Sequence, residues 1–120
     1  MRETRSQGLM RLKENLLAVR GWRCEVCGEQ APRLHLHHGV VSQNDIVGWQ
    51  GAHRKRIDVA YNCFLVCDLC HLNKPLPSRE WFWKKAAERY GEPAVLEWYD
   101  LLPFKGPRPN YATSGVIKEG

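Results

Sequence analysis

"YNCFLVCDLCHLN", residues Tyr61 to Asn73, carries three cysteines, a histidine and two asparagines in one short run. The other two cysteines of the chain stand in "CEVCG", Cys24 to Gly28. A Cys-x-x-Cys turn presents two thiolates on one side of a tight bend, and two such turns supply the four soft ligands of a tetrahedral zinc. Cys24 and Cys27 therefore pair with Cys67 and Cys70, and the chain between them can fold into a hairpin that brings the turns together. A four-thiolate set leaves no open coordination position, so its expected role is structural. Unliganded buried cysteines and a redox pair are the other readings of this spacing. Cys63 falls outside it and reads as a small buried apolar residue.

Composition narrows the setting for these thiols. A chain of 120 residues suits one compact domain, and 43% hydrophobic with 26% charged residues excludes a disordered one. Eighteen basic against thirteen acidic residues favour an anionic partner, nucleic acid foremost. No apolar run is long enough to span a bilayer, so no membrane partner is expected. The opening "MRETRSQGLMRLKE" lacks the apolar centre of a secretory signal. The expectation is a cytoplasmic, reducing location, where paired Cys-x-x-Cys turns are metal ligands rather than disulfides.

Working outward, "GLMRLKENLLAVR" places Leu9, Leu12, Leu16 and Leu17 at helical spacing from Gly8 to Arg20, with Gly21 as the stop. "RLHLHHGVV", Arg33 to Val41, alternates as a strand does. Ser42 to Arg56 is polar and reads as a long loop, and Ile57 to Val66 contains the return strand. "CDLCHLNK" predicts a short helix cut off by Pro75 and Pro77. Ser78 is suited to cap a helix over "REWFWKKAAERY" that closes at Gly91, and Pro93 to sit in the first turn of another through Leu101. The expected organisation is an N-terminal helix (1–21), a core with both knuckles (22–76), C-terminal helices (77–102) and an irregular tail (103–120).

Four histidines cluster around this frame: His35, His37 and His38 in "LHLHHG", and His71 directly after Cys70. A single histidine is more often a surface or satisfied core residue than a ligand. Together they allow more. Two imidazoles, one from a strand end and one from a helix start, can hold a divalent metal with open positions, while a third acts as general base.

The order "CEVC", "LHLHHG", "YN", "CDLCH" resembles the HNH endonuclease family in its four-cysteine, zinc-braced form. The similarity covers about Trp22 to Asn73, and the preceding basic helix with "RGWRCEVCG" also looks like small phage or prophage members. The resemblance implies an α+β fold: a small ββα-metal (His-Me finger) core braced by zinc, with flanking helices. It implies hydrolysis of DNA, or RNA, phosphodiesters. By position, His37 and His71 resemble the metal ligands, His38 the general base, and Asn62 the residue that braces the hairpin loop and orients that base through hydrogen bonds. Many members carry a further histidine four residues after the one that follows the second Cys-x-x-Cys; here that residue is Pro75. The implied catalytic cation is Mg2+ or Mn2+, with Zn2+ or Ni2+ suited to imidazole ligands in vitro. Cutting both strands would call for a homodimer or another partner, phage packaging proteins among them by family analogy alone.

Neighbours on a straight strand point to opposite faces, so His37 and His38 share a site only if the strand bends or ends at Gly39. If the strand runs straight through, His35 and His37 share a face instead and the assignment changes, with His35 the second catalytic or ligand candidate. His53, in "GAHRKR", reads as a loop residue. For contact with nucleic acid the candidates are Arg54, Lys55 and Arg56 in the loop, Arg23 and Arg33 flanking the first knuckle, and Lys84 and Lys85, with Arg89, on the later helix. Trp49, Trp81, Trp83 and Trp98 read as core residues before base-stacking ones. A zinc-braced nucleic-acid-binding module without catalysis is the alternative, and a protein-interaction zinc module a third reading. Neither has a need for His37, His38, Asn62 and His71 together.

Overall fold

The computed structural model describes residues 3–73 and 75–103; the tail from residue 104 onward, read above as irregular, lies outside the described residues. Helix α1 spans Arg5–Arg20. It starts earlier than its apolar pattern because Thr4 and Gln7 form a capping box: the Thr4 hydroxyl accepts from the Gln7 N–H at 3.1 Å, and the Gln7 side chain accepts from the Thr4 N–H at 2.9 Å. Gly21 ends it with φ of 88°, its N–H donating to the Leu17 carbonyl.

Strands β1 (Leu34–His38) and β2 (Cys63–Cys67) form a two-stranded antiparallel sheet. Their register sets Leu34 opposite Cys67, His37 opposite Phe64 and His38 opposite Cys63. The fold is thus mixed α/β, with a two-stranded hairpin among helices. β2 is buried at all five positions because it lies between two apolar layers. Cys63, Leu65 and Cys67 join Leu16 and Leu17 of α1, Leu34 and the knuckle residues Cys24 and Cys70. Phe64 instead joins Phe82, Trp83 and Ala86 of α3 (Arg79–Tyr90) and Val95 and Tyr99 of α4 (Glu92–Asp100). Ser78 caps α3 by accepting from the Trp81 N–H, Gly91 closes it at φ of 90°, and Pro93 sits in the first turn of α4.

Two stretches differ from expectation. The segment after β1 is built of short turns rather than open loop: 3-10 turns at Gln43–Ile46 and Lys55–Ile57 flank a four-residue helix, α2, at Gly51–Arg54. Each is too short to show a period in the sequence, and the two 3-10 turns end on the core residues Ile46 and Ile57. The turn after β2 is a π-helical turn, Leu69–Asn73, instead of an α-helix. The wider turn takes Cys70 into the cysteine cluster and returns His71 onto β1.

A buried ion-pair network ties the parts together. Arg20 of α1 donates to Glu25 in the first knuckle (2.9 Å), to the Cys63 and Ala60 carbonyls and to the Tyr90 hydroxyl. Glu25 also accepts from the Leu65 N–H (2.8 Å) and from Arg89 of α3 (2.6 Å). A charge this deeply buried is tolerated because so many of its hydrogen-bonding positions are filled. Among the described residues, no helix is long and apolar enough to cross a membrane.

Candidate metal centre and histidine cleft

The two Cys-x-x-Cys turns meet. Cys24, Cys27, Cys67 and Cys70 offer sulfur atoms that all lie within 4.8 Å of one another. A zinc–sulfur bond of about 2.3 Å sets a tetrahedral edge of roughly 3.8 Å, and the Cys27 and Cys67 sulfurs are 3.9 Å apart. This group can hold a metal such as zinc. Burial works against a charged Cys24 thiol, but the N–H groups of Cys27, Cys67 and Val26 win and bring it down to about 6. Burial, followed by hydrogen bonds with the other three thiols, pushes Cys70 up to about 12. Cys63 stands apart: its thiol donates to the Ile57 carbonyl, and burial with the nearby Asp58 charge pushes it up to about 12. It packs, as its spacing suggests.

The sheet has two strands, so the outer edge of β1 is unpaired. Along that edge runs a cleft of about 650 Å³ lined by His35, Leu36, His37, His38 and His71, by Ser42 to Asn44, and by Ser6, Leu9, Met10 and Lys13 of α1. The strand ends at His38, and alternation still holds within it. His35 and His37 face the π-helical turn: the His35 ring stacks on His71 at 4.7 Å and the His37 ring meets His71 edge-on at 6.3 Å. His38 turns the other way, towards Asp58 and α1. All four reach one cleft because it wraps around the strand edge.

Each histidine has a distinct environment. Burial first, and then the neighbouring His71 and His38, lowers His37 to about 4, so it is neutral near pH 7 and one of its ring nitrogens offers a lone pair to a metal. His35 contacts the Asp68 carboxylate through Nε2, a hydrogen bond that holds Asp68 below its ordinary range. His38 is nearly enclosed, and its Nε2 lies 2.9 Å from Asp58 Oδ1. Arg5 grips the same carboxylate with two bonds, Nε to Oδ2 at 2.6 Å and Nη2 to Oδ1 at 2.9 Å. Burial opposes charge on Asp58, but the Arg5 and His38 hydrogen bonds outweigh it and hold the carboxyl below its ordinary range.

Asn62 is fully buried and sits under the loop that leaves β1. Its Oδ1 accepts from the Val40 and Val41 N–H groups at 2.9 and 2.8 Å, and its Nδ2 donates to the Val41 and Ile57 carbonyls at 2.9 and 3.0 Å. It braces the loop; none of these bonds joins it to His38, whose side-chain contact is Asp58. Gly39 contributes close approach rather than a left-handed turn, since a Cβ there would stand 2.5 Å from Phe82 Cγ.

The basic residues picked from the sequence do not line this cleft among the described residues. Arg23 donates to the Gly28 carbonyl, Arg54 to the Trp49 and Val47 carbonyls, and Arg56 to the Leu101 carbonyl. Lys84 pairs with Glu80 and Lys85 lies over the Trp81 ring. Arg33 is exposed beside the knuckle, and Lys55 borders a smaller hollow with Glu3 and Arg11. His53 lies in α2, away from the cleft lining. Trp49, Trp81 and Trp98 pack against the core that contains Trp83. The cation that does line the cleft is Lys13, one helical face with Ser6, Leu9 and Met10. Lys13, Asp58 and Arg5 are the site residues that sequence reading passed over. The spacing of positions 6, 9, 10 and 13 was available for the first; the others depend on a contact across 53 residues. Comparisons with protein-family models, with curated proteins and with solved structures gave no match.

Proposed function

We propose that the protein is a metal-dependent endonuclease of the HNH type that hydrolyses phosphodiester bonds of DNA. The observation that carries the reading is the meeting of His37, His38 and His71 in one cleft, on a hairpin whose loop Asn62 braces and whose ends the cysteine cluster clamps. Structural zinc would sit on the four cysteines. His37 and His71 would hold a catalytic Mg2+ or Mn2+, which when bound supplies charge neutralisation at the scissile phosphate and the leaving oxygen.

The chain's own residues supply the rest. His38 takes a proton from the attacking water, and imidazole suits that task near neutral pH. Asn62 keeps the Gly39–Val41 loop tight so that His38 stays at the cleft wall. Lys13 contacts a neighbouring phosphate and orients the strand. Arg33, exposed outside the cleft, adds attraction at longer range. The products would be a 5′-phosphate and a 3′-hydroxyl.

The test is incubation of the zinc-loaded protein and of a His38→Ala variant with plasmid DNA and Mg2+ or Mn2+. Cutting by the first and not the second is the expected result. Equal cutting removes His38 as the base. Tight DNA binding with no cutting by either supports a zinc-braced binding module instead.

A further inference from the structure

Helix α1 lies outside the hairpin and turn that carry the histidines, yet its Arg5 holds the carboxylate that contacts His38. Arg5 holds Asp58 by two hydrogen bonds, and the Asp58 side chain is only 8% exposed. A carboxylate gripped by a guanidinium on both oxygens stays ionised, and an ionised carboxylate can only accept hydrogen bonds. Its Oδ1 stands 2.9 Å from His38 Nε2. A neutral imidazole has one N–H, and here it must be on Nε2. The lone pair is then on Nδ1.

We infer that Asp58, locked by Arg5, is a positioning residue that fixes His38 as its Nε2–H tautomer and makes Nδ1 the atom that accepts the proton from water. This deepens the nuclease reading and rests on it for the role of base; the tautomer does not. In the step, a water O–H proton moves to Nδ1 and the water oxygen bonds to phosphorus. The P–O3′ bond breaks with its electron pair left on O3′, which solvent protonates. The imidazolium, hydrogen-bonded to Asp58 through Nε2, then returns its proton to solvent. The inference also gives α1 a role in chemistry, since Arg5 is the group that keeps Asp58 an acceptor.

Two measurements test it on the full-length, zinc-loaded protein. Long-range proton–nitrogen correlation with 15N-labelled histidine reads the tautomer directly. His38 should show the Nε2–H pattern in the wild type and lose it in Asp58→Ala. A Nδ1–H pattern in the wild type would overturn the inference, whether or not any variant folds. Kinetics on plasmid DNA supply the second. Asp58→Asn should lower kcat by about 10²–10⁴-fold, as loss of a base's correct tautomer does, with KM nearly unchanged. Retention of kcat within about threefold by a folded, zinc-loaded Asp58→Asn would equally overturn it. If the wild type cuts no nucleic acid, the nuclease reading fails while the tautomer is still decided by the first measurement.

Discussion

Replacing Asn62 should be among the most damaging single changes in the chain. Its side chain is wholly buried and satisfies four backbone groups: the Val40 and Val41 N–H groups and the Val41 and Ile57 carbonyls. Each buried group left without a partner costs about 1–3 kcal/mol. The four losses overlap, since a water entering the vacated space can serve some of them. Asn62→Ala is therefore expected to cost about 3–5 kcal/mol, a large share of the roughly 5–15 kcal/mol that holds a domain together. Asn62→Asp sharpens the point. It keeps an acceptor for the two N–H groups but sets an oxygen with no proton against two carbonyls. It should be as destabilising as alanine, whereas a residue acting only as acceptor would tolerate it. Urea unfolding of zinc-saturated protein, with the slope unchanged, gives both values. A loss under about 1 kcal/mol for Asn62→Ala would refute the role assigned to this side chain.

Four further outcomes follow from the geometry. Gly39→Ala drives a Cβ into the Phe82 ring, 2.5 Å from Cγ, and should destabilise by about 1–3 kcal/mol; the penalty should shrink in a Phe82→Leu background, which a double-mutant cycle by denaturation measures. Burial and two neighbouring imidazoles lower His37 to about 4, so its folded form resists protonation and stability should rise with pH from about 4 to the ordinary histidine value near 6.5; its ring proton shift in NMR should stay flat from about pH 8 to pH 5.5, and a midpoint near 6.5 would contradict the burial. Cys27→Ala should abolish stoichiometric zinc binding, read by metal analysis, and lower the thermal midpoint. Lys13→Ala should weaken DNA binding and reduce the salt dependence of log K by about 0.7–0.9, while Lys84→Ala, on a lysine paired with Glu80 outside the cleft, should leave that slope unchanged.

What could be read from the sequence is what depends on local spacing. The cysteine turns declare their ligands within four residues of one another, and "LHLHHG" alternates visibly, so the hairpin and the thiolate cluster were legible. So were the cap at Ser78 and the stops at Gly21 and Gly91. The capping box at Thr4 and Gln7 was equally local and was overlooked because the apolar pattern begins later. The segment from Ser42 to Ile57 showed no period because its three turns are each shorter than the window in which a period appears. Charge was the least transferable signal. Arg54, Arg56 and Lys84 stand out as cations in the sequence, yet their partners are carbonyls and Glu80. Lys13 shows only as one of a helical face with Ser6, Leu9 and Met10, and Asp58 stands out in nothing until Arg5 of α1 and His38 of β1 are brought against it. The histidine cleft itself wraps around a strand edge, which reconciles the alternation of His37 and His38 with a shared site in a way no strand pattern predicts.

The proposed activity requires two separate metal positions, one on thiolates and one on imidazoles. Crystals of the zinc-loaded protein soaked in Mn2+ and measured for anomalous scattering locate both at once. The predicted result is zinc within Cys24, Cys27, Cys67 and Cys70 and a manganese peak between His37 and His71, lost in His71→Ala. An ion held by the cysteines alone, with His37 and His71 free of metal at saturating Mn2+, would contradict it.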